Sequence, residues 1–380
     1  MVISQDMLND SCMLNNSNED NPGSLTAVPG LSSSTHTLVA VCLGCILVLG
    51  SLYNSLVMLI FVKFDAIRTP INMMLLNISV SDLLVCIFGT PLSFAASVSG
   101  GWLIGRQGCE WYGFCNSLFG IVSLVSLSLL SYERYITVLK CAKADVSNYK
   151  TAWRYIITSW IYSLFWTLPP LFGWSRYDLE SSGVTCSVMW HSDSANNVSY
   201  IVCLFLFCLV LPLLIMIFCY GHIVKVIREQ MSRINLTTAQ KRERRLLFMV
   251  ICMVTCYLLC WMPYGLVSLV TAFGKPGIIT PTVSIVPSIL AKSSTVINPL
   301  IYIFMNKQFY RCFVALLKCE DDTHNIDIAL SPQNSKSVHP MERGKSSNLH
   351  SYKAETANNA APSFEQKSSV TVMVYYRECI

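Results

Sequence analysis

Charge is what this chain of 380 residues has least of. Only 13% of its residues are Asp, Glu, Lys or Arg, against 53% hydrophobic, and the mean hydropathy is +0.49. A typical soluble domain carries about 25% charged residues, so a water-facing globular protein is excluded and a membrane protein is implied. Basic residues are absent from positions 1–36, where Asp6, Asp10, Glu19 and Asp20 supply all the charge. No apolar run precedes residue 37, so no cleavable signal peptide is expected. The apolar stretches lack the alternating polarity of a membrane barrel strand. No internal repeat points to a transporter of inverted halves, and no chain of acidic residues offers a proton relay. The net charge of +5 comes from clusters beside apolar runs, which indicate topology and lipid contact, so neither nucleic acid nor a metal is expected as a partner.

What is present is a set of seven apolar windows, at about 37–62, 70–98, 108–139, 152–173, 198–227, 244–273 and 281–304. Each is near or above the roughly 20 residues a spanning helix needs, and in hydrocarbon only helices satisfy every backbone amide within one segment. The expected fold class is an all-α membrane protein, a seven-transmembrane helix bundle. Lys63 and Arg68, then Lys140, Lys143 and Lys150, then Lys225, Arg228, Arg233, Lys241, Arg242, Arg244 and Arg245 follow the first, third and fifth windows. Those loops face the cytoplasm and the N-terminus faces outside. The expected organisation is an extracellular tail 1–36, a bundle 37–305, an amphipathic membrane-surface helix 306–319 and a disordered cytoplasmic tail 320–380, too polar to bury a core.

Most of the 17 cysteines fall inside the windows, where they act as small apolar residues. Cys109 at the top of the third window and Cys186 in the loop before the fifth are the natural disulfide pair on the oxidising side, leaving Cys12 over. Asn9 and Asn15 begin glycosylation acceptor sequences in the outer tail, and Cys319, where the surface helix should end, is the expected palmitoylation site.

Lys292 is the most informative residue. It lies alone in Pro281 to Phe304, a stretch with no other charge, and a charge at mid-membrane costs about 2.5 to 3.5 kcal/mol on insertion scales. Ten residues separate it from Tyr302, roughly 15 Å along a helix, beyond the reach of a lysine snorkelling to the headgroups. An amine in apolar surroundings is suited to imine formation, which makes an aldehyde the implied partner. A protonated imine would need a carboxylate, and the outer half offers Glu110, Asp178 and Glu180.

Motifs then accumulate in order: Asn54 in the first window, Leu-Asn-Ile-Ser-Val-Ser-Asp around Asp82, Glu133-Arg134-Tyr135 ending the third, Cys260-Trp261-Met262-Pro263-Tyr264 in the sixth, and Ala-Lys-Ser-Ser around Lys292 with Asn298-Pro299-Leu300-Ile301-Tyr302 in the seventh. Over roughly 40–319 the chain resembles an opsin of the rhodopsin-class receptors. With Asn306-Lys307-Gln308 it is most similar to the encephalopsin and teleost multiple-tissue opsin group.

The resemblance implies a light-sensing, non-enzymatic receptor at the plasma membrane that carries retinal, 11-cis in the dark and all-trans after light, as a Schiff base on Lys292. It implies a pocket walled by Tyr112, Gly120, Trp261, Tyr264 and Ala291. Where vertebrate visual opsins carry a glutamate counterion this chain has Tyr112, so Glu180, which matches the loop glutamate of many non-visual opsins, is the expected counterion.

Trp261 before Met262-Pro263 reads as a hinge, against plain core packing. Arg134, with Glu133 beside it and Glu243 at the foot of the sixth helix, reads as a restraint whose release lets that helix swing; Tyr220 and Tyr302 match tyrosines that support the open form. The implied partners are a heterotrimeric G protein, Gi/o in type, with arrestin and a receptor kinase acting on the tail. Asn54, Asp82, Ser123 and Asn298 suggest a polar cluster that binds water or sodium, or simply joins helices. Two rival functions are a retinal photoisomerase and a receptor for a diffusible ligand.

Overall fold

The computed structural model describes residues 31–139, 149–191, 194–231, 238–275 and 277–318. Helix α1 (Ser33–Lys63) starts at Ser32, whose hydroxyl accepts from the Thr35 amide at 3.2 Å. It ends where Arg68 turns back and donates to the carbonyls of Phe61 and Val62, satisfying groups that a helix end leaves orphaned. Helix α2 (Pro70–Phe88) begins with a proline at its first turn, where the missing amide proton costs nothing.

The second window, read as one span, is two helices. It breaks at Gly89 before α3 (Thr90–Ser99), where Pro91 follows and Asn116 of the next helix fills the notch. A Cβ at Gly89 would lie 2.3 Å from the Asn116 Oδ1.

Helix α4 (Gly105–Leu139) is the long central element, and α5 (Tyr149–Thr167) stops short of the double proline Pro169-Pro170. Next comes an antiparallel hairpin, β1 (Tyr177–Leu179) with β2 (Cys186–Val188), registered Tyr177 to Val188 and Leu179 to Cys186. A disulfide from Cys109 of α4 to Cys186 of β2 fastens the hairpin over one end of the bundle. Gly113 lets it lie flat on α4, since a Cβ there would come within 2.7 Å of the Tyr177 ring.

The fifth window is also interrupted. Helix α6 (Ala195–Phe205) passes through a π-helical turn, Leu206–Val210, into α7 (Leu211–Met231). Pro212, which has no amide proton to give to the ladder, sits just past that turn. Helices α8 (Thr238–Phe273) and α9 (Pro281–Met305) contain Pro263, and Pro287 and Pro299. Helix α10 (Lys307–Leu317) buries Phe309, Cys312 and Ala315, spaced three apart on one face, and exposes Tyr310 and Arg311 on the other. Burying Phe309 completely contributes about 2 to 3 kcal/mol.

Six of the spans are long and apolar enough to cross a membrane on composition alone; α5, diluted by Lys150, Arg154, Ser159 and Ser163, completes the seven. The expected seven-helix bundle with a trailing surface helix is thus the fold. Apolar side chains such as Leu38, Val48, Leu52 and Ile217 point outward, as suits helices bathed in lipid. The main core, including Val57, Leu75, Leu127, Met249, Met253 and Tyr302, fills the end opposite the hairpin.

Candidate functional site

Lys292 lies mid-way along α9, half-buried, in a cavity of about 70 Å³ whose lining includes Tyr112, Gly120, Glu180, Trp261, Tyr264 and Ala291. All the pocket residues singled out from sequence therefore meet in one place. A second cavity of about 130 Å³, lined by Leu204, Phe205, Cys208, Leu209 and Met262, shares Gly120, Tyr257, Trp261 and Tyr264 with the first. The two cavities thus adjoin at these residues; the larger is lined mostly by apolar side chains, and the amine lines the smaller.

The walls are fixed by specific contacts. Tyr257 donates to the Gly120 carbonyl at 2.9 Å and stacks on Trp261 at 5.6 Å. The Trp261 indole donates to Ser294 of α9 at 3.1 Å. Gly120 is required by the tryptophan, because a Cβ would fall 2.7 Å from the Trp261 ring.

Glu180 reaches this space from the turn between β1 and β2. The hairpin sets it by a hydrogen bond that the Glu180 backbone amide donates to the Thr185 carbonyl at 2.9 Å. Tyr264 of α8 donates to one carboxylate oxygen at 2.8 Å and Thr185 to the other at 2.6 Å. The other two outer carboxylates do not line either cavity. Glu110 pairs with Arg106 at 3.0 Å and Asp178 with Arg176 at 3.3 Å, both toward solvent.

Among the described residues no carboxylate oxygen comes within 4.0 Å of the Lys292 Nζ. What lies nearby is the ring of Tyr112, its centroid 5.5 Å away. The Tyr112 hydroxyl is turned off to a short hydrogen bond with Ser93 of α3.

Sequence reasoning did not single out Thr185, Ser93, Asn116 or Tyr257. Thr185 had a signal, its place beside Cys186 in a loop that must fold back over Glu180. Asn116 and Ser93 had none, since their roles follow from the break at Gly89.

Asp82 enters the same cavity from below. Ser123 donates to one of its oxygens at 2.9 Å and Asn298 to the other at 2.8 Å, with Ser81 and Ser123 sharing a further bond at 2.7 Å. Asn54 stands apart from that carboxylate; its amide nitrogen donates to the carbonyls of Gly50 and Thr295, both at 2.8 Å, joining α1 to α9.

At the far end, Arg134 is buried, with its Nε 2.5 Å from Glu133. Glu133 also accepts from Thr137 at 3.2 Å. The Glu243 side chain lies outside the described residues, as do Asn9, Asn15, Cys319 and the whole of 320–380. Tyr135 packs edge-on against Phe218 and His222 of α7. Tyr220 bonds with Ser131 at 2.8 Å. Tyr302 is fully buried, its hydroxyl without a hydrogen-bond partner among the described residues. Pro299 sits inside α9, Asn306 caps α10 by accepting from the Gln308 amide at 3.0 Å, and Lys307 is exposed.

Residues 53–302 match the family model of the seven-transmembrane receptors of the rhodopsin family. Among relatives, mouse Opsin-3 is 41% identical over 327 residues, covering 83% of this chain and 81% of the relative. Pinopsin of Gallus gallus is 38% identical over 291 residues, 75% of this chain and 82% of the relative. The crystal structure of squid rhodopsin superposes with a TM-score of 0.71 at 27% identity, covering 83% of this chain and 95% of that one. The chain belongs to the rhodopsin family of seven-transmembrane receptors. Within that family its place is among the opsins, the light-sensing branch.

Proposed function

We propose that this opsin is a light receptor that holds retinal as a Schiff base on Lys292, with Glu180 as its counterion, and signals through a heterotrimeric G protein of the Gi/o type. The observation that carries the reading is an amine in the middle of a spanning helix that lines an aromatic-walled pocket which a loop carboxylate also lines. The residues present fit the group: the walls are apolar, Gly120 leaves room against Trp261, and the polar groups gather at the amine end. Bound retinal supplies light absorption and a change of shape from 11-cis to all-trans.

The chain's residues do the rest. Lys292 offers the amine, while Tyr264 and Thr185 hold the Glu180 carboxylate in place. Trp261, bonded to Ser294 and two residues before Pro263, ties α8 to α9, so displacing its ring loosens α8 at the point where the helix bends most easily. A pocket that prefers one ligand shape over another shifts a two-state equilibrium by its differential interaction with the two shapes.

At the opposite end Arg134 pairs with Glu133 of its own helix while Tyr135 packs α4 against α7, and outward motion of α8 would open a cleft suited to a helix of the G protein. The same reading puts this end in the cytoplasm, with Asn306, Lys307 and Gln308 at its rim, and the disulfide end and N-terminus outside the plasma membrane. Arrestin and a receptor kinase would act at the tail, with glycans at Asn9 and Asn15 and an acyl chain at Cys319.

The test is to regenerate expressed protein with 11-cis-retinal, record a light-minus-dark spectrum, and measure light-dependent nucleotide exchange on a Gi/o-type G protein. Borohydride should fix the chromophore to Lys292. A visible pigment without light-dependent exchange would turn the reading toward a photoisomerase, and no pigment at all would turn it toward a diffusible ligand.

A further inference from the structure

Resting on the reading above, we propose that Tyr112 stabilises the imine cation on Lys292 with the face of its ring and not with its hydroxyl, so that the positive charge is shared between an aromatic face and the Glu180 carboxylate. The amine nitrogen lies 5.5 Å from the Tyr112 centroid, over the ring. That is inside the roughly 6 Å within which the negative face of an aromatic ring attracts a cation, an attraction strongest where water is excluded. Tyr112 is only 1% exposed.

The ring has no freedom to present its hydroxyl instead. Ser93 engages the phenol oxygen, and the Trp102 ring meets the Tyr112 ring edge-on at 5.2 Å and 71°. Asn116 donates to the Tyr112 carbonyl at 2.8 Å, fixing the backbone beneath it. In the same cavity, both Glu180 oxygens already accept a hydrogen bond, from Tyr264 and Thr185, which spreads the carboxylate charge away from the amine. The aromatic face is thus within cation–π range of the amine, while the carboxylate lines the same cavity without pairing with it at 4.0 Å or less.

The experiment titrates the visible band of the parent chain regenerated with 11-cis-retinal, then of Tyr112→Phe, Ser93→Ala and Tyr112→Leu. Tyr112→Phe and Ser93→Ala should keep the parent midpoint, because the face survives in both. Tyr112→Leu should lower it by about one pH unit, a roughly ten-fold loss of proton affinity.

A merely structural ring is separated by placing phenylalanines with increasing ring fluorination at position 112, which drain the face of negative charge at nearly constant size. The midpoint should fall stepwise with fluorine number. This series keeps the ring, so it decides the matter even if Tyr112→Leu fails to fold. A Tyr112→Phe midpoint as low as that of Tyr112→Leu would assign the effect to the hydroxyl, and a flat fluorine series would assign it to packing; either overturns the proposal. A parent chain that forms no visible band overturns the proposed function itself, and this inference with it.

Discussion

Two ionisable side chains, Asp82 and Lys292, enter one cavity inside the bundle, and their surroundings differ in kind. Each oxygen of Asp82 is met by a donor within 2.9 Å, from Ser123 and from Asn298, so three helices close around it. Lys292 has an aromatic face at 5.5 Å and, among the described residues, no carboxylate within 4.0 Å. A buried polar group whose partners come from its own chain works as a fastening. An amine beside an apolar cavity, with the carboxylate that lines the same cavity engaged by other donors, is arranged for chemistry with something else. The contrast separates the part of the membrane interior that holds the fold from the part that we propose does the sensing.

The largest effect that could break this contrast is at the amine. Lys292→Ala should abolish the visible pigment altogether while the seven-helix fold persists, since the substitution removes the nucleophile and relieves a membrane charge. The measurement is the absorbance spectrum after regeneration, beside circular dichroism. A residual photopigment would mean that the aldehyde attaches elsewhere, and the division between fastening and reactive group would lose its basis.

Next in size is the carboxylate. A negative group near the imine favours its protonated form, by about 1 to 3 units for a close pair. Glu180→Gln should therefore lower the imine midpoint by that order. The sign follows directly: with the midpoint lowered, the visible band gives way to an ultraviolet band as pH rises through values where the parent chain stays coloured. A titration indistinguishable from the parent would remove Glu180 from the role. Thr185→Val and Tyr264→Phe, which strip one donor each from the carboxylate, should move the midpoint upward by less, because the charge they freed would be more available to the cation.

A third effect concerns the shape of the pocket. Gly120→Ala places a methyl group 2.7 Å from the Trp261 ring, and overpacking of this sort typically costs 1 to 3 kcal/mol. Slower regeneration and a lower melting temperature are expected, with the spectrum of whatever pigment forms shifted little. Normal regeneration would show that Trp261 yields easily, and would weaken its reading as a rigid trigger.

The bundle was legible in the sequence because hydrocarbon imposes one rule on every span, and Lys292 was legible because a lone charge in such a span has so few excuses. The breaks were less so. Gly89 with Pro91 and Pro212 are visible as letters, but the notch filled by Asn116 and the π turn at Leu206–Val210 depend on what packs opposite. The same holds for Tyr112. The sequence says that an aromatic stands where a carboxylate is found in visual opsins, and only three dimensions show that its hydroxyl is claimed by Ser93. Asp82 was read as part of a polar cluster, yet nothing in the residue string told that it opens into the same cavity as Lys292. That relation comes from the crossing of α2 and α9.

The smallest expected effect is the sharpest check on the contrast. Asp82 is a second carboxylate within the cavity and so a rival for the counterion role. Both of its oxygens are already committed, and Ser123 and Asn298 are themselves anchored in α4 and α9. Asp82→Asn should therefore leave the imine midpoint where it was. Its cost should fall on stability, because an amide has one acceptor oxygen where the carboxylate offered two: with that oxygen kept toward Asn298, its nitrogen meets the Ser123 hydroxyl, which now donates and would have to reverse its role. Losing a hydrogen bond of this kind costs about 1 kcal/mol, or more for a charged acceptor, which corresponds to about 2 to 4 °C in melting temperature for a bundle of this size. If instead the midpoint drops as far as in Glu180→Gln, Asp82 shares the cation, and the line drawn between the two groups dissolves.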